Sequence, residues 1–383
     1  MTQSRRTFVK ILGGTAVIGA ASVIGLRQCD PMPPEAVVAW TGPDGSITDP
    51  REKCLAFALL APNPHNKQPW IADLRQADAI TLSVDRTRLL PHTDPPSRQI
   101  TIGCGAFLEL LRMAAAAQGF RAGITYFPDG PWADGQVGDA PLARIVLSKD
   151  ESISPDPLFV HVLQRQTNRG AYSEVPLSAD QAGKIGAAIN EPGVEFGWTA
   201  EASRLVSLRA LAKRGWDIEV NTDRAFRESV DVFRITGPEI LKHRDGISLH
   251  GPFIWWVSTL GFFSRETAFD EFGRGQARAQ IDPQLAGTAS FAWLITQNND
   301  RLTQLAAGRA YVRGALMAAG LGLTQGPLSQ VLQEFVEMAE PYQEIKTLLN
   351  VPPASTVQMF YRIGTAARAT LAPRRALSDL LRT

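Results

Sequence analysis

The chain has 383 residues, a formal net charge of +1 at pH 7, 44% apolar residues and 20% charged residues. This composition is typical of a globular protein with a sizeable core, and the near-zero charge argues against a nucleic-acid partner. The three cysteines (Cys29, Cys54 and Cys104) and the five scattered histidines lack metal-ligand spacing, so no metal site is predicted.

Residues 1–30 have the pattern of a twin-arginine export signal. Arg5 and Arg6 lie in "SRRTFVK", and the following residues 11–26 carry no charge. Paired arginines before a short apolar stretch are typical of this signal. The sixteen uncharged residues are fewer than the ~20 that span a bilayer comfortably. The alternative interpretation is a basic amphipathic start to an ordinary domain.

The signal predicts export by the twin-arginine translocase to the periplasm or cell envelope. Gln28 before Cys29 argues against lipidation, because a small residue is expected there. No clear A-x-A cleavage motif precedes the cysteine, so an uncleaved signal that anchors the chain in the membrane remains an alternative. Because this route carries folded proteins, commonly with a cofactor inserted before export, the segment also points toward a bound cofactor.

Two halves of similar make-up follow a Pro/Gly-rich linker over residues 31–50. In the first half, residues 51–160, the pattern predicts a helix over 51–60, a strand over 79–86, a helix over 100–117 and strands over 123–127 and 143–148. In the second half, residues 161–383, it predicts helices over 178–189 and around 205–216, a strand over 194–198, a strand over 287–297, a long helix over 305–319, a helix from 327 and a strand over 356–364. The predicted fold class is α+β.

The stretch "PNPHNKQPW", from Pro62 to Trp70, combines two neutral amides and a glutamine with prolines. Each proline fixes its own φ and biases the preceding residue toward extended geometry, so a stiff loop is predicted rather than a helix. Side-chain amides in a stiff loop hold donors and acceptors in fixed directions, which suits a flat ligand with carbonyl and N–H edges. An ordinary capped turn is the alternative.

Three further segments carry candidate binding residues. "RQTNR" places Arg165, Thr167 and Arg169 on one face if it is extended, where two guanidiniums and a hydroxyl suit a phosphate. Arg374 and Arg375 follow a proline and are candidates for a second arm of the same clamp. "LTQGPLSQ" predicts a Gly-Pro turn that opens a helix with unpaired backbone N–H groups. Alone, the first segment is equally typical of a solvated basic stretch, the second is more typical of a basic tail, and the third is only a helix start.

In this order, the four segments resemble the FMN-binding signature of the nitroreductase superfamily. The N-x-Q-P-W loop is specific, and the resemblance covers about residues 50–383. The export signal and the doubled length are similar to the Acg-type branch, in which two nitroreductase-like units are fused. The resemblance implies cofactor-binding roles for thirteen residues: Pro62, Asn63, Pro64, Asn66, Gln68, Arg165, Thr167, Arg169, Pro327, Leu328, Ser329, Arg374 and Arg375. Trp70 is expected to pack the loop onto the sheet.

The order of the motifs differs from the ordinary family pattern, in which the arginine motif precedes N-x-Q-P-W within one subunit. Here the first half has the loop alone, and the second half has the arginine motif, the Gly-Pro turn and the C-terminal arginines. The halves therefore hold complementary parts, which predicts an internal pseudo-dimer with one FMN site and a chain that can act as a monomer. Asn63 and Pro64 replace two serines of the usual pattern.

Residues 246–263, "GISLHGPFIWWVSTLGFF", carry no charge. They could form a membrane span, although Gly251 and Pro252 argue against it, or a core segment, or a lid over the flavin. The Acg-type resemblance favours a lid-like insertion near residues 235–275, in which Trp255 or Trp256 covers the flavin.

The resemblance implies an FMN-dependent oxidoreductase that passes hydride from NADH or NADPH to small nitro, quinone or related acceptors. The alternative is an exported flavin-sequestering protein with an occluded site. No catalytic side chain is predicted, because in such enzymes the flavin carries the redox chemistry.

Overall fold

The computed structural model describes residues 30–133 and 135–382. The predicted export signal, with Arg5 and Arg6, lies outside the described residues. The helices, in chain order, are α1 (Pro34–Val37), α2 (Pro50–Ala58), α3 (Arg98–Ala117), α4 (Ala179–Ile189), α5 (Ala202–Asn221), α6 (Asp223–Asp231), α7 (Gly237–His243), α8 (Pro252–Thr259), α9 (Arg265–Ala268), α10 (Glu271–Ala279), α11 (Ile281–Ala286), α12 (Arg301–Gly320) and α13 (Ala339–Leu348). The strands are β1 (Trp70–Asp73), β2 (Ala79–Val84), β3 (Phe120–Tyr126), β4 (Ala143–Lys149), β5 (Val194–Thr199), β6 (Phe233–Ile235), β7 (Ile247–Leu249), β8 (Phe291–Thr296), β9 (Thr324–Pro327) and β10 (Thr356–Gly364).

Each half contributes one antiparallel four-stranded sheet, and the mixed helix-and-sheet prediction is confirmed. The first sheet has the order β1-β2-β4-β3 and the second β5-β8-β10-β9, while β6 and β7 form a small parallel pair. Strand β4 alternates buried and exposed residues over most of its length, which is typical of a sheet with one face on the core. Strand β10 is buried along its whole length, because it is a central strand of its sheet.

Helices α3 and α12, of twenty residues each, pack against each other between the halves. Helix α3 is long and apolar enough to cross a membrane, but here it is a core helix with most of its residues buried. Asp94 caps its first turn by accepting hydrogen bonds from the backbone N–H groups of Gln99 (3.1 Å) and Ile100 (2.9 Å). A buried ion pair adds to the contact, since Arg313 of α12 donates to Glu109 of α3 at 2.8 Å.

The C-terminus returns to the first half. The backbone N–H of Ala72 in β1 donates to the carbonyl of Leu380 (2.7 Å), and Arg382 donates back to Ala72 (2.8 Å). The last residues therefore extend the first sheet at its β1 edge, and this brings Arg374 and Arg375 close to the N-x-Q-P-W loop.

The sequence-based prediction of a Gly-Pro turn that opens a helix was wrong. Thr324–Pro327 is strand β9, paired with β10, and it is followed only by a single 3-10 turn over Ser329–Leu332. The backbone N–H of Leu328 donates to the carbonyl of Phe360 at 3.0 Å. Pairing with the buried strand β10 thus takes up a backbone group that the turn was expected to leave free.

Candidate functional site

A cavity of about 310 Å³ lies between the two halves. This volume falls at the lower end of the range of ligand sites in proteins. The first half contributes Pro62, Asn63, Pro64 and His65 from the loop, and Gln99, Ile102, Gly103 and Ala106 from α3. The second half contributes Thr167 and Arg169, residues of α5, α6, α11 and α12, the segment after β9, and aromatic residues of the insertion.

Eight of the thirteen predicted site residues line this cavity. They are Pro62, Asn63, Pro64, Thr167, Arg169, Pro327, Leu328 and Ser329. The other five are Asn66, Gln68, Arg165, Arg374 and Arg375, and they form the layer that surrounds the loop. The structure therefore brings the widely separated motifs together, but it puts only part of each motif on the cavity wall.

The N-x-Q-P-W loop holds its shape by hydrogen bonds within itself and by left-handed backbone. Asn63 Oδ1 accepts from the backbone N–H of Gln68 at 2.8 Å, and Asn63 Nδ2 donates to the Ala61 carbonyl at 3.1 Å. His65, Asn66 and Gln68 have φ values of 48°, 51° and 47°. Left-handed φ values in non-glycine residues store strain and are concentrated at functional sites. The loop thus keeps a hydrogen-bonded shape of its own and forms part of the cavity wall.

Gly103 allows α3 to approach this loop closely. A Cβ on Gly103 would lie 3.1 Å from Asn63 Cβ. A larger side chain there would push the loop away from the helix and widen the cavity. Trp70 is the first residue of β1 and is fully buried, with its ring 4.7 Å from that of Phe107. It therefore packs the start of β1 against helix α3, whereas the sequence predicted that it would pack the loop onto the sheet.

Arg165 and Arg374 converge on one point behind the cavity wall. Both donate to the carbonyl of Leu60, at 3.0 and 3.3 Å, and both guanidiniums lie over the Trp40 ring, at 5.6 and 5.0 Å from its centroid. The two side chains are 3% and 4% exposed, so they are nearly dry. Two cations brought this close without water need a compensating anion.

No carboxylate in the described part of the chain supplies that anion. Within those residues, neither Arg165 nor Arg374 forms a salt bridge, and the Nε atom of each lacks a hydrogen-bond partner. Burial lowers the pKa of Arg165 to about 10. Burial, with the charge of Arg165 beside it, lowers the pKa of Arg374 to about 9. Buried, unpaired donors of this kind are the signature of a site for an anionic group such as a phosphate.

Arg375 and Gln68 fix the loop instead of facing the cavity. Arg375 donates to the backbone carbonyls of Gln68 (3.0 Å) and Trp70 (3.3 Å), and Gln68 Oε1 accepts from the backbone N–H of Arg375 (2.9 Å). Gln68 Nε2 donates to the Arg244 carbonyl at 2.9 Å. Asn66 Oδ1 accepts from Arg374 at 2.8 Å, so Asn66 holds the clamp arginine in place.

The insertion encloses the cavity with apolar side chains, although not with the predicted tryptophans. Residues of β6, β7 and the segment after α8 line it, including Phe233, Ile247 and Phe262. Trp255 and Trp256 are not on the cavity wall, and their rings meet edge to face at 5.1 Å. Helix α8 has no buried residue, which contradicts the core interpretation of this segment. The segments on either side of α8, and not the helix itself, therefore cover the cavity.

Sequence reasoning missed His65, Glu219 and Gln333, which all line the cavity. His65 lies inside the quoted loop but outside the motif positions. Glu219 follows Trp216 by one helical turn on an otherwise apolar face of α5, and a carboxyl in that position is a signal that was available. Gln333 lies in a stretch that was expected to be helical. The structure has only a 3-10 turn there, so its position could not be predicted from the expected helix.

Burial lowers the pKa of His65 from 6.5 to about 3, and the charges of Arg169 and Lys67 add to this effect. His65 is therefore neutral in the folded protein at neutral pH. Between about pH 3 and pH 6.5 the unfolded chain binds more protons at this residue than the folded protein does. Stability is expected to fall as pH drops below 6.5, because protons then favour the unfolded state. At pH 5 the loss of unfolding free energy that His65 causes is at most about 2 kcal/mol.

His65→Asn is expected to flatten that pH dependence, because asparagine tolerates left-handed φ and carries no titrating ring. Urea unfolding of both proteins at pH 8 and pH 5 measures the difference. Parallel losses of unfolding free energy in the two proteins would show that His65 does not stay neutral in the fold.

Comparison with known proteins gives partial matches. No family model matches the chain. It is 36% identical over 88 residues to the Mycobacterium tuberculosis protein that carries the name "Putative NAD(P)H nitroreductase acg", an alignment that covers 23% of this chain and 26% of that protein. It is 25% identical over 349 residues to a second M. tuberculosis protein with the NAD(P)H nitroreductase name, over 85% of this chain and 89% of the relative. These names support the nitroreductase superfamily.

Solved structures give weaker likenesses. An FMN- and NADPH-dependent nitroreductase from Sphigopyxis sp. strain HMH has a TM-score of 0.38 and 13% identity, over 60% of this chain and 99% of that chain. A nitroreductase from Bacteroides fragilis with bound FMN has a TM-score of 0.35 and 14% identity, over 58% of this chain and 94% of that chain. The first relative named above is matched over only about a quarter of its length, so the geometry of the cavity carries the functional argument.

Proposed function

We propose that this chain is an FMN-dependent oxidoreductase of the nitroreductase kind, which uses NADH or NADPH to reduce small nitro, quinone or related acceptors. The observation that carries the proposal is the pair of buried arginines, Arg165 and Arg374, without a carboxylate partner among the described residues and beside a cavity walled by the N-x-Q-P-W loop. FMN joins a phosphate to a flat ring. The arginine pair suits the phosphate, and the cavity suits the ring.

The residues present fit FMN. Arg165 and Arg374 would hold the phosphate, since each has an unpaired Nε and a depressed pKa that an anion would restore. Thr167 and Arg169 line the cavity with donors, and Arg169 forms no salt bridge within the described part of the chain. Pro62, Asn63 and Pro64 would contact the ring from one half, and Pro327, Leu328 and Ser329 from the other.

When bound, FMN supplies the hydride chemistry that the side chains lack. The loop and the residues after β9 would hold the ring between them, and the aromatic residues of the insertion would exclude water from the cavity. His65 stays neutral, so it can accept or donate a hydrogen bond at the cavity without adding charge. The positive charge of Arg169 at the wall would stabilise negative charge on a bound ring.

The division of the walls between the halves supports an internal pseudo-dimer with one FMN per chain. The loop belongs to residues 51–160, while Thr167, Arg169 and Pro327 belong to the second half. Each set occurs once in the sequence, so a second site of the same kind would lack its partner residues. On this proposal the monomer is complete.

Flavin absorbance of the natively purified full chain, measured against protein concentration, is expected to give one FMN per chain. Anaerobic stopped-flow mixing with NADH and with NADPH is then expected to bleach the flavin, and a quinone or nitroaromatic acceptor to restore its colour. Two flavins per chain would overturn the single-site proposal, and none would overturn FMN binding. Bound flavin that neither nucleotide bleaches would favour the sequestering alternative over an enzyme.

We also propose that the chain is exported by the twin-arginine translocase and acts in the periplasm or cell envelope. The proposal rests on the sequence of residues 4–26. Cell fractionation of the chain with Arg5→Lys and Arg6→Lys tests it, because the receptor reads arginine and not charge alone. Unchanged delivery would show that the pair is incidental.

A further inference from the structure

A polar cluster interrupts the apolar wall of the cavity. Glu219, Ser229 and Gln333 all line it and are 2%, 6% and 4% exposed. Glu219 follows the lining residue Trp216 by one turn of α5, and Ser229 follows the lining residue Phe226 by one turn of α6. Residues three apart on a helix are neighbours on its surface, so each polar group adjoins an aromatic ring.

The hydrogen bonds within the cluster determine which atoms stay free. Ser229 Oγ donates to Glu219 Oε1 at 2.7 Å, and Gln333 Nε2 donates to Glu219 Oε2 at 2.9 Å. Because Gln333 uses its NH2 group as the donor in this contact, its amide oxygen is left for another partner. The other end of that amide, Oε1, is buried and has no partner among the described residues. Within the described part of the chain, the cluster therefore presents one buried acceptor without a donor, Gln333 Oε1.

Glu219 is surrounded by groups that interact with its carboxyl group. Burial raises its pKa, while the hydrogen bonds from Ser229, Gln333 and Gln330 and the charge of Arg169 oppose that shift. A buried acceptor without a donor costs free energy that a ligand donor would recover. A ligand with an aromatic ring and a hydroxyl or amino group would pack its ring against Trp216 and Phe226 and donate a hydrogen bond to the polar cluster.

We propose that Glu219 and Gln333 form the polar end of the acceptor-substrate subsite, which selects flat aromatic molecules that carry a neutral O–H or N–H donor. The proposal deepens the proposed function, on which it rests for the presence of a reducible group. It assigns specificity to these residues and gives them no part in hydride transfer. Ser229 donates to one oxygen of Glu219 and is not itself assigned a contact with the substrate.

Binding of a matched pair of probes tests the proposal without turnover. Calorimetric titration of the natively purified protein, without reductant, compares 4-nitrobenzyl alcohol with its methyl ether, which lacks the donor. The wild-type protein is expected to bind the alcohol at least about tenfold more tightly, since a site built for a donor rejects the analogue without it. Equal affinities would overturn the proposal.

Variants assign the preference to the cluster. Gln333→Met removes the free Oε1, and Glu219→Gln removes the charge, so both are expected to reduce the alcohol preference to less than about threefold while ether binding is kept. Ser229→Ala frees a lone pair on Glu219 and is expected to keep the preference. Gln276→Met is the control, because Gln276 also lines the cavity but lies outside the cluster.

The outcomes separate this proposal from the one on which it rests. A preference that survives in both Gln333→Met and Glu219→Gln would overturn the assignment, whatever the flavin does. A cluster-dependent preference in a protein whose flavin is not reduced by NADH or NADPH would keep the subsite and overturn the proposed enzyme. If Glu219→Gln does not fold, by circular dichroism, Gln333→Met alone decides the question, and a preference that survives in it would overturn the assignment.

Discussion

Arg165→Ala is expected to weaken FMN binding by roughly 30-fold or more and to leave riboflavin binding nearly unchanged. The factor follows from the ~2–5 kcal/mol that removal of one partner of a desolvated charge pair costs. Riboflavin lacks the phosphate, so it gains nothing from the arginine. Fluorescence titration of the apoprotein with each ligand measures both affinities. Equal losses for the two ligands would show that Arg165 supports the fold and does not bind the phosphate.

The same variant is expected to leave the apoprotein as stable as the wild type, or more stable. In the absence of an anion, Arg165 and Arg374 are two nearly dry cations that share the Leu60 carbonyl. Removal of one charge relieves this repulsion. Arg121→Ala serves as the matched control, because Arg121 is exposed and its ion pair with Asp150 lies far from the loop in the first sheet. It is expected to change neither FMN affinity nor stability appreciably.

Local sequence signals predicted the parts of the site that one segment determines. The N-x-Q-P-W loop, the strand of β10 and the long helices α3 and α12 follow from prolines, alternation and apolar spacing, and all are found where they were expected. The order of the motifs predicted that both halves would contribute to one site, and residues of both halves line the cavity. The loop and the two long helices in particular are determined by their own local sequence.

Long-range pairing decided what the sequence did not predict. The Gly-Pro segment became strand β9 because β10 offered it a partner, and a local turn rule cannot take that contact into account. The clamp arginines meet behind the loop because the C-terminus returns to β1. Glu219 lies at the cavity because α5 packs there. The apolar face of α5 did not indicate which element that helix would pack against.

The two halves are held in register where α3 and α12 cross, at a pair of glycines. A Cβ built on Gly105 would lie 2.1 Å from the Leu305 carbonyl oxygen, and one on Gly308 would lie 1.9 Å from the Ile102 carbonyl oxygen. Glycine inside a helix costs about 1 kcal/mol relative to alanine. At this crossing the two glycines allow the backbones of the two helices to touch, because any other residue would place a Cβ between them. Ile102 and Gly103 also line the cavity, so the crossing sets the distance between its walls.

Gly308→Ala is therefore expected to destabilise the protein by roughly 3 kcal/mol or more, despite the better helix propensity of alanine. The new methyl group must move α12 away from α3, which would separate Ile102 from the second half and lower FMN affinity as well. Urea unfolding and flavin content measure the two effects. Gly183→Ala in α4 is the matched control, since a Cβ added there would have no neighbouring atom within 4 Å, and it is expected to stabilise the protein by about 0.5–1 kcal/mol. If Gly308→Ala behaved like Gly183→Ala, the two helices would not be in backbone contact, and the glycine pair would not determine how the halves enclose the cavity.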